Sequence, residues 1–342
     1  MKVMFVGDVS LGEYYLSFGH GPRTFLETDN VFMEVQKIFD EADFVVGNLE
    51  TSITTFNIDN SCPESMVLRG KPEHNLVLKN AGFRILQLAN NHTVQHGQAG
   101  FEETVSLLKR LNIEPIGLKN QNVVIIEVDG IKIGFLAASD VPDNTYNNQQ
   151  CYQHLDEKFL EKIQKECNCV DHLIVMLHWG LEASTTPLDY QKEIAYKLYK
   201  AGVSAIVGNH PHLCYEIVRK DNFVVAYSLG NFVFDLCWDK RMLNTGILSI
   251  EFDKNTITNL LFYPVIIEKN GCLPTPTSIA PIEIKSNYFP YNFGSVMGLQ
   301  QLKKTQYLIR NIFRGNTFLK LKYLKNKILG YRSKRRMPIE HS

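Results

Sequence analysis

Short runs of β-branched and aromatic residues alternate along most of the chain with stretches whose apolar positions recur every three or four residues. That alternation of periods predicts an α/β protein. Residues 2–7 read as a strand running into Gly7-Asp8, and residues 31–42 as a helix with Val31, Val35, Ile38 and Phe39 on its apolar side. A strand over 43–47 leads into Asn48-Leu49-Glu50, and another over 83–89 into Asn90-Asn91-His92, followed by a helix over 97–111. Each polar cluster follows the carboxyl end of a strand, where the chain leaves the sheet and ligand crevices of open α/β sheets form.

Further along, runs at 123–128 and 131–137 flank Asp129-Gly130, a hairpin signal. A helix over 156–165 precedes a strand over 173–177 that ends in His178-Trp179-Gly180, and a helix over 190–201 precedes a strand over 205–208 that ends in Asn209-His210-Pro211-His212. A strand over 223–229 enters Gly230-Asn231-Phe232, and 246–252 with 257–263 form a closing hairpin. Strand groups before and after the middle both deliver polar clusters, so two facing sheets flanked by helices are expected. The domain is expected to span 1–268. A connector over 269–295 is punctuated by Asn270-Gly271, Pro274, Pro276, Pro281 and Pro290. A basic helical extension then covers 296–342, with Leu299, Leu302, Ile309, Ile312 and Phe313 at helical spacing.

Composition narrows the class. The 342 residues are 44% hydrophobic and 21% charged, enough for a substantial core and unlike a disordered or low-complexity chain. Seven thinly spread cysteines, the nearest pair being Cys167 and Cys169, predict free thiols rather than a zinc site. No apolar run reaches about 18 residues and Asp8 comes too early for a signal peptide, so a cytoplasmic protein is expected. The zero net charge conceals an asymmetry. Residues 301–342 hold twelve Lys and Arg against the single acid Glu340, leaving the rest of the chain at −11. Such an arm is expected to meet something anionic, either a membrane surface at the inner face or a synthase complex, whereas nucleic acid is not expected for an acidic body without a binding module.

Four of the ten histidines, His92, His178, His210 and His212, lie in the post-strand clusters together with Asp8, Glu50 and the amides Asn48 and Asn91. Imidazoles with carboxylate and amide oxygens suit divalent cations. In His210-Pro211-His212 the strand period would throw both rings to one face, with Pro fixing the backbone between them. His20, His74, His96, His154, His172 and His341 lack such company and read as ordinary surface or core histidines.

Taken in order, Gly7-Asp8, Asn48-Leu49-Glu50, Ala89-Asn90-Asn91-His92, His178-Trp179-Gly180-Leu181-Glu182, Gly208-Asn209-His210-Pro211-His212 and the stretch 227–235 resemble the CapA family of poly-γ-glutamate capsule synthesis proteins. That family is related to the calcineurin-like metallophosphoesterases, and the resemblance covers about residues 1–265. It implies a metallophosphoesterase-like sandwich with two divalent ions (Mn, Fe, Zn or Mg). It makes Asp8 a ligand of the first metal and puts Asn48 or Glu50 in the place of the bridging carboxylate, Glu50 being preferred because an amide bridges two cations poorly. It further makes Asn91, His178, His210 and His212 metal ligands and His92 the acid that protonates the leaving group, and leaves Asn48, Glu182 and Asn231 to substrate.

Two positions depart from the pattern. Ser10 stands where metallophosphoesterases usually place a histidine, and Gln95 where CapA proteins generally carry the aspartate of Asp-Tyr-Gly. Arg69 and Lys71 match a basic element of the family, read either as an anion clamp for phosphate or carboxylate or as a solvated loop. The expected function is a metal-dependent hydrolase or transferase in the synthesis, release or export of an anionic capsule polymer such as poly-γ-glutamate. The rivals are a non-catalytic accessory subunit that holds polymer and a metallophosphoesterase for a different phosphate ester.

Overall fold

A computed structural model describes residues 1–56, 58–59, 62–143, 151–293 and 300–335. Leu299 of the expected stripe and Arg336, Glu340 and His341 lie outside them.

The first part of the chain forms β1 (Lys2–Val9), α1 (Pro22–Phe25), α2 (Gln36–Phe39) and β2 (Phe44–Leu49), then a small ribbon of β3 (Ser52–Ile53) with β4 (Arg69–Gly70). After it come α3 (Leu76–Asn80), β5 (Phe83–Gln87), α4 (Gly97–Arg110) and β6 (Glu114–Ile116). The second part holds the hairpin β7 (Val124–Val128) and β8 (Ile131–Ser139), then α5 (Glu157–Glu166), β9 (His172–His178), α6 (Asp189–Ala201), β10 (Ala205–Asn209), β11 (Ile217–Lys220), β12 (Phe223–Ala226) and β13 (Asn231–Val233). The close consists of β14 (Asn244–Phe252), β15 (Ile257–Glu268), β16 (Leu273–Pro276), β17 (Ile282–Glu283), α7 (Gln300–Asn311) and α8 (Thr317–Arg335).

One sheet runs β16-β15-β14-β1-β2-β5-β6, with β13 beside β1 and β17 beside β15; the other runs β11-β12-β10-β9-β8-β7. Period-two alternation makes them face each other. Val3, Phe5, Val46 and Ile85 enter one core with Phe135, Ile174, Met176 and Val207 of the opposite sheet. The intervening residues Met4, Val6 and Val45 point outward to Phe32, Phe39, Phe101 and Leu108. On the far side Val175, Leu177 and Ile206 pack against Phe159, Ile163 and Leu198 of α5 and α6. Full burial of each such side chain contributes about 1.5–3 kcal/mol. The result is the expected α/β sandwich of two facing sheets flanked by helices.

Central strands β1, β2 and β5 are mutually parallel, as are β8, β9 and β10, so their carboxyl ends gather the polar clusters. The closest approach is at Gly7, where a Cβ would sit 1.8 Å from the Gly230 carbonyl oxygen. Only glycine lets β1 lie there, with Asp8 in register with Asn48 on one side and Asn231 on the other.

Local structure departs from the sequence pattern in several places. Of 31–42 only one helical turn forms, although Val31, Val35, Ile38 and Phe39 are all buried as their spacing requires. The Pro-rich stretch adds two short edge strands, β16 and β17. The basic extension is broken into two helices at Gly315 (φ 59°), where a Cβ would meet the Phe18 carbonyl oxygen at 2.4 Å. This arm docks through polar contacts. Lys303 Nζ lies 2.7 Å from Asp239, and the Tyr307 hydroxyl donates to the Asp235 carbonyl at 3.1 Å. The Asn316 amide donates to the Phe18 carbonyl, and Tyr323 stacks on Tyr15 at 4.4 Å. Tyr307 and Asn311 are therefore buried, while Leu302, Ile309 and Phe313 point outward. Among the described residues no helix is long and apolar enough to cross a membrane.

Candidate metal centre

Asp8 in β1 and Glu50 just beyond β2 are fully buried and reach the same space as His178 at the end of β9 and His210 and His212 beyond β10. Ligand atoms of Glu50, His178 and His210 lie within 4.8 Å of one another, as do those of Asp8, Glu50 and His212. The two groups share Glu50, which would place that carboxylate between two ions. Among the described residues neither Glu50 oxygen accepts a hydrogen bond, nor does Asp8 Oδ2, and His210 Nδ1 is likewise unpaired. Buried polar atoms without partners are costly. A cation is the partner this set of donors suits, since hard oxygens and neutral imidazoles are ligands for borderline and hard divalent ions.

The electrostatics agree. Burial, then the neighbouring charge of Asp8, pushes Glu50 well above the usual carboxylate range. Burial and the adjacent histidines hold His178 and His210 well below the ordinary histidine value, so both are neutral lone-pair donors. For His212 burial pulls down but contact with Asp8, 3.3 Å away, more than offsets it and the value rises.

The His210-Pro211-His212 segment does not use strand alternation. β10 ends at Asn209, and both histidines adopt positive φ, 98° and 59°. Such conformations are strained for residues with a Cβ and persist where surrounding structure enforces them. His212 Nδ1 is held by the Asn231 side-chain oxygen Oδ1 at 2.8 Å, and the Asn231 side-chain amide donates to the Leu236 backbone carbonyl. Asn231 thus positions an imidazole. Asn48 does the same for two groups, its amide lying 2.8 Å from Asp8 Oδ1 and 3.2 Å from His178 Nδ1. Asn90, which no motif assignment singled out, donates to Asn48 Oδ1 and to the Leu49 carbonyl.

Asn91 Oδ1 lies 2.9 Å from His178 Nε2. His92 approaches from the rim, with Nε2 3.9 Å from Glu50 and Nδ1 2.8 Å from Gln95 Oε1. Gln95 orients the ring as a carboxylate would but adds no charge, and burial leaves His92 below its ordinary value. Ser10, in place of a histidine, turns its hydroxyl to the Gly12 amide. Glu182 is exposed and lines the same cavity as His92. The basic residues Arg69 and Lys71 make contacts of their own. Arg69 donates to the carbonyls of Ser65, Thr54 and Phe56 and contacts His96, and Lys71 pairs with Glu27 at the surface.

Comparison with known proteins places this arrangement. The model of the family described as "Bacterial capsule synthesis protein PGA_cap" matches residues 2–236. The chain is 28% identical to the PGA biosynthesis protein CapA of Bacillus subtilis, covering 84% of this chain and 79% of that one. It is 26% identical to the capsule biosynthesis protein CapA of Bacillus anthracis, covering 82% and 70%. Among solved structures, the NAD nucleotidase of Haemophilus influenzae aligns with a TM-score of 0.43 at 14% identity, over 97% of this chain and 60% of that one. With its strand-end motifs all lying inside the matched span, the chain belongs to the bacterial capsule synthesis protein family PGA_cap.

Proposed function

We propose that the protein is a metal-dependent hydrolase or transferase that acts in the synthesis, release or export of an anionic capsule polymer such as poly-γ-glutamate. The observation that carries this reading is the buried junction of Asp8, Glu50, His178, His210 and His212, where Asp8 Oδ2 and both Glu50 oxygens accept no hydrogen bond among the described residues. Asp8, Glu50 and His212 would hold one ion and Glu50, His178 and His210 another, with Asn91 beside the second. A divalent cation bound there supplies Lewis-acid polarisation of a phosphoryl or acyl oxygen. Asn48 and Asn231 keep the ligands oriented, and His92 stands at the open side, where Nε2 can hand a proton to a leaving group.

The test is turnover of a phosphodiester and of a γ-linked glutamate oligomer by metal-loaded and chelator-stripped protein. Metal-dependent cleavage of either, lost in Glu50→Gln, supports the reading. Ser10 and the uncharged Gln95 favour a second reading, a polymer-holding subunit with the same fold, which predicts metal binding without turnover of either compound.

The outward Ile309 and Phe313, interleaved with Lys and Arg, support contact of the arm with an anionic membrane surface.

A further inference from the structure

A cavity of about 400 Å³ is lined by His92 and Glu182. Another part of its lining belongs to the C-terminal arm. Lys304 and Thr305 of α7 and Lys327 of α8 line it, facing the aromatic rings of Tyr15 and Trp238. These helices lie outside residues 2–236, the span that the family model matches. The cavity that His92 shares is thus walled in part by a stretch of the chain that the shared motifs do not reach.

The two lysines are placed by cation–π contacts. Lys304 Nζ sits 4.8 Å from the Trp238 ring centroid and Lys327 Nζ 5.7 Å from that of Tyr15. Both side chains belong to exposed residues, and among the described residues neither has a carboxylate within ion-pair distance. The adjacent Lys303 shows the contrast, since its ammonium is spent on the buried Asp239. The wall itself is built rather than loosely laid down. Tyr307 is tied to Asp235 and Asn270, and the buried Lys320 donates to the carbonyl of Asn311. Rings behind an ammonium attract it and leave its outer side open to an anion.

We propose that Lys304 and Lys327 form an anion subsite at the mouth of the cavity, so that the substrate carries at least one anionic group beyond the one that reaches His92. The proposal rests on the function proposed above, whose substrate is an anionic polymer, and adds the residues that engage a second anionic group along it. A small monoester reaching His92 would leave both ammonium groups unused. A repeating anion would span from the crevice to the arm.

The experiment measures binding of a short γ-linked glutamate oligomer and, separately, of inorganic polyphosphate to the full-length, metal-loaded protein. The Lys304→Ala/Lys327→Ala double variant should bind the preferred probe at least about tenfold more weakly, a loss of charge-assisted contacts. The Lys304→Arg/Lys327→Arg variant should restore it, and Lys325→Ala, on an exposed residue of α8 that does not line the cavity, should bind as wild type. Preference for the glutamate oligomer identifies carboxylates as the ligand chemistry, and preference for polyphosphate identifies phosphates. Equal affinity of wild type and double variant, an equal loss in Lys325→Ala, or a wild type that binds neither probe overturns the subsite. Metal content and metal-dependent turnover are recorded on the same samples. Absent metal with lysine-dependent binding would defeat the proposed function and leave the subsite standing, whereas retained turnover with lysine-independent binding would do the reverse.

Discussion

His92 stands where the buried crevice meets the cavity it lines, with one ring nitrogen on Gln95 and the other turned to Glu50. Its place at the rim distinguishes it from His210, which is buried among the ligand atoms. His92→Ala should lower turnover by about 10²–10⁴ while metal content stays nearly intact. His210→Ala should lower both. Equal metal loss in the two variants, read by elemental analysis, would make His92 a ligand. The neutral Gln95 also makes a pH prediction. Burial depresses His92, so the protonated acid is scarce at neutral pH and turnover should fall as pH rises through a value below the ordinary histidine range. Gln95→Glu places a carboxylate at Nδ1, stabilises the imidazolium and should shift that falling limb upward in pH. An unmoved pH–rate profile would remove His92 from the proton transfer. At this scale the ligand candidates were legible, because each follows an apolar strand. The work of Asn48, Asn90 and Asn231 was not, since an amide that orients a ligand and one that touches substrate look alike in sequence.

Among the elements, the central strands β1, β2, β5, β8, β9 and β10 were readable to within two residues at each end, because burial on both faces makes them nearly continuous apolar runs, whereas β12 ends three residues earlier and β15 five residues later than expected. The helix expected over 31–42 shrank to one turn, its burial kept while its backbone turned otherwise. The histidine pair shows the same limit, since positive φ at His210 and His212 leaves no mark in the residue types. The arm offers a test at this scale. Lys320 is fully buried against backbone carbonyls, and burial lowers its value to about 8. In the unfolded chain a lysine titrates at about 10.4. Between those values the unfolded form binds more protons, so stability rises with pH across the window and the penalty is greatest below pH 8. Urea unfolding at pH 7.5 and 9.5 should show this rise in wild type, and Lys320→Met should flatten it. A rise of the same size in the variant would assign the effect to other groups.

Across the whole molecule, charge asymmetry was visible in the sequence but its consequence was divided in a way that residue order does not show. Part of the basic arm faces the cavity through Lys304 and Lys327, and part presents Ile309, Phe313 and Phe318 outward. The outward side should carry the protein to anionic vesicles, with about 1 kcal/mol available per basic residue near the surface and less as salt rises. Co-sedimentation should be strong at low salt and should weaken in Ile309→Ser/Phe313→Ser. Sedimentation unchanged by these substitutions would dissociate the stripe from membranes.

The proposed catalytic function depends on the junction of Asp8, Glu50, His178, His210 and His212 holding metal. The most direct measurement strips the purified chain with chelator, titrates it with Mn²⁺ or Zn²⁺ and counts bound ions by elemental analysis. Two interleaved ligand groups predict up to two ions per chain, with loss of at least one in Glu50→Gln and in His210→Ala. A wild-type chain that binds no divalent ion at micromolar concentrations, or one whose binding survives both substitutions, would contradict the account.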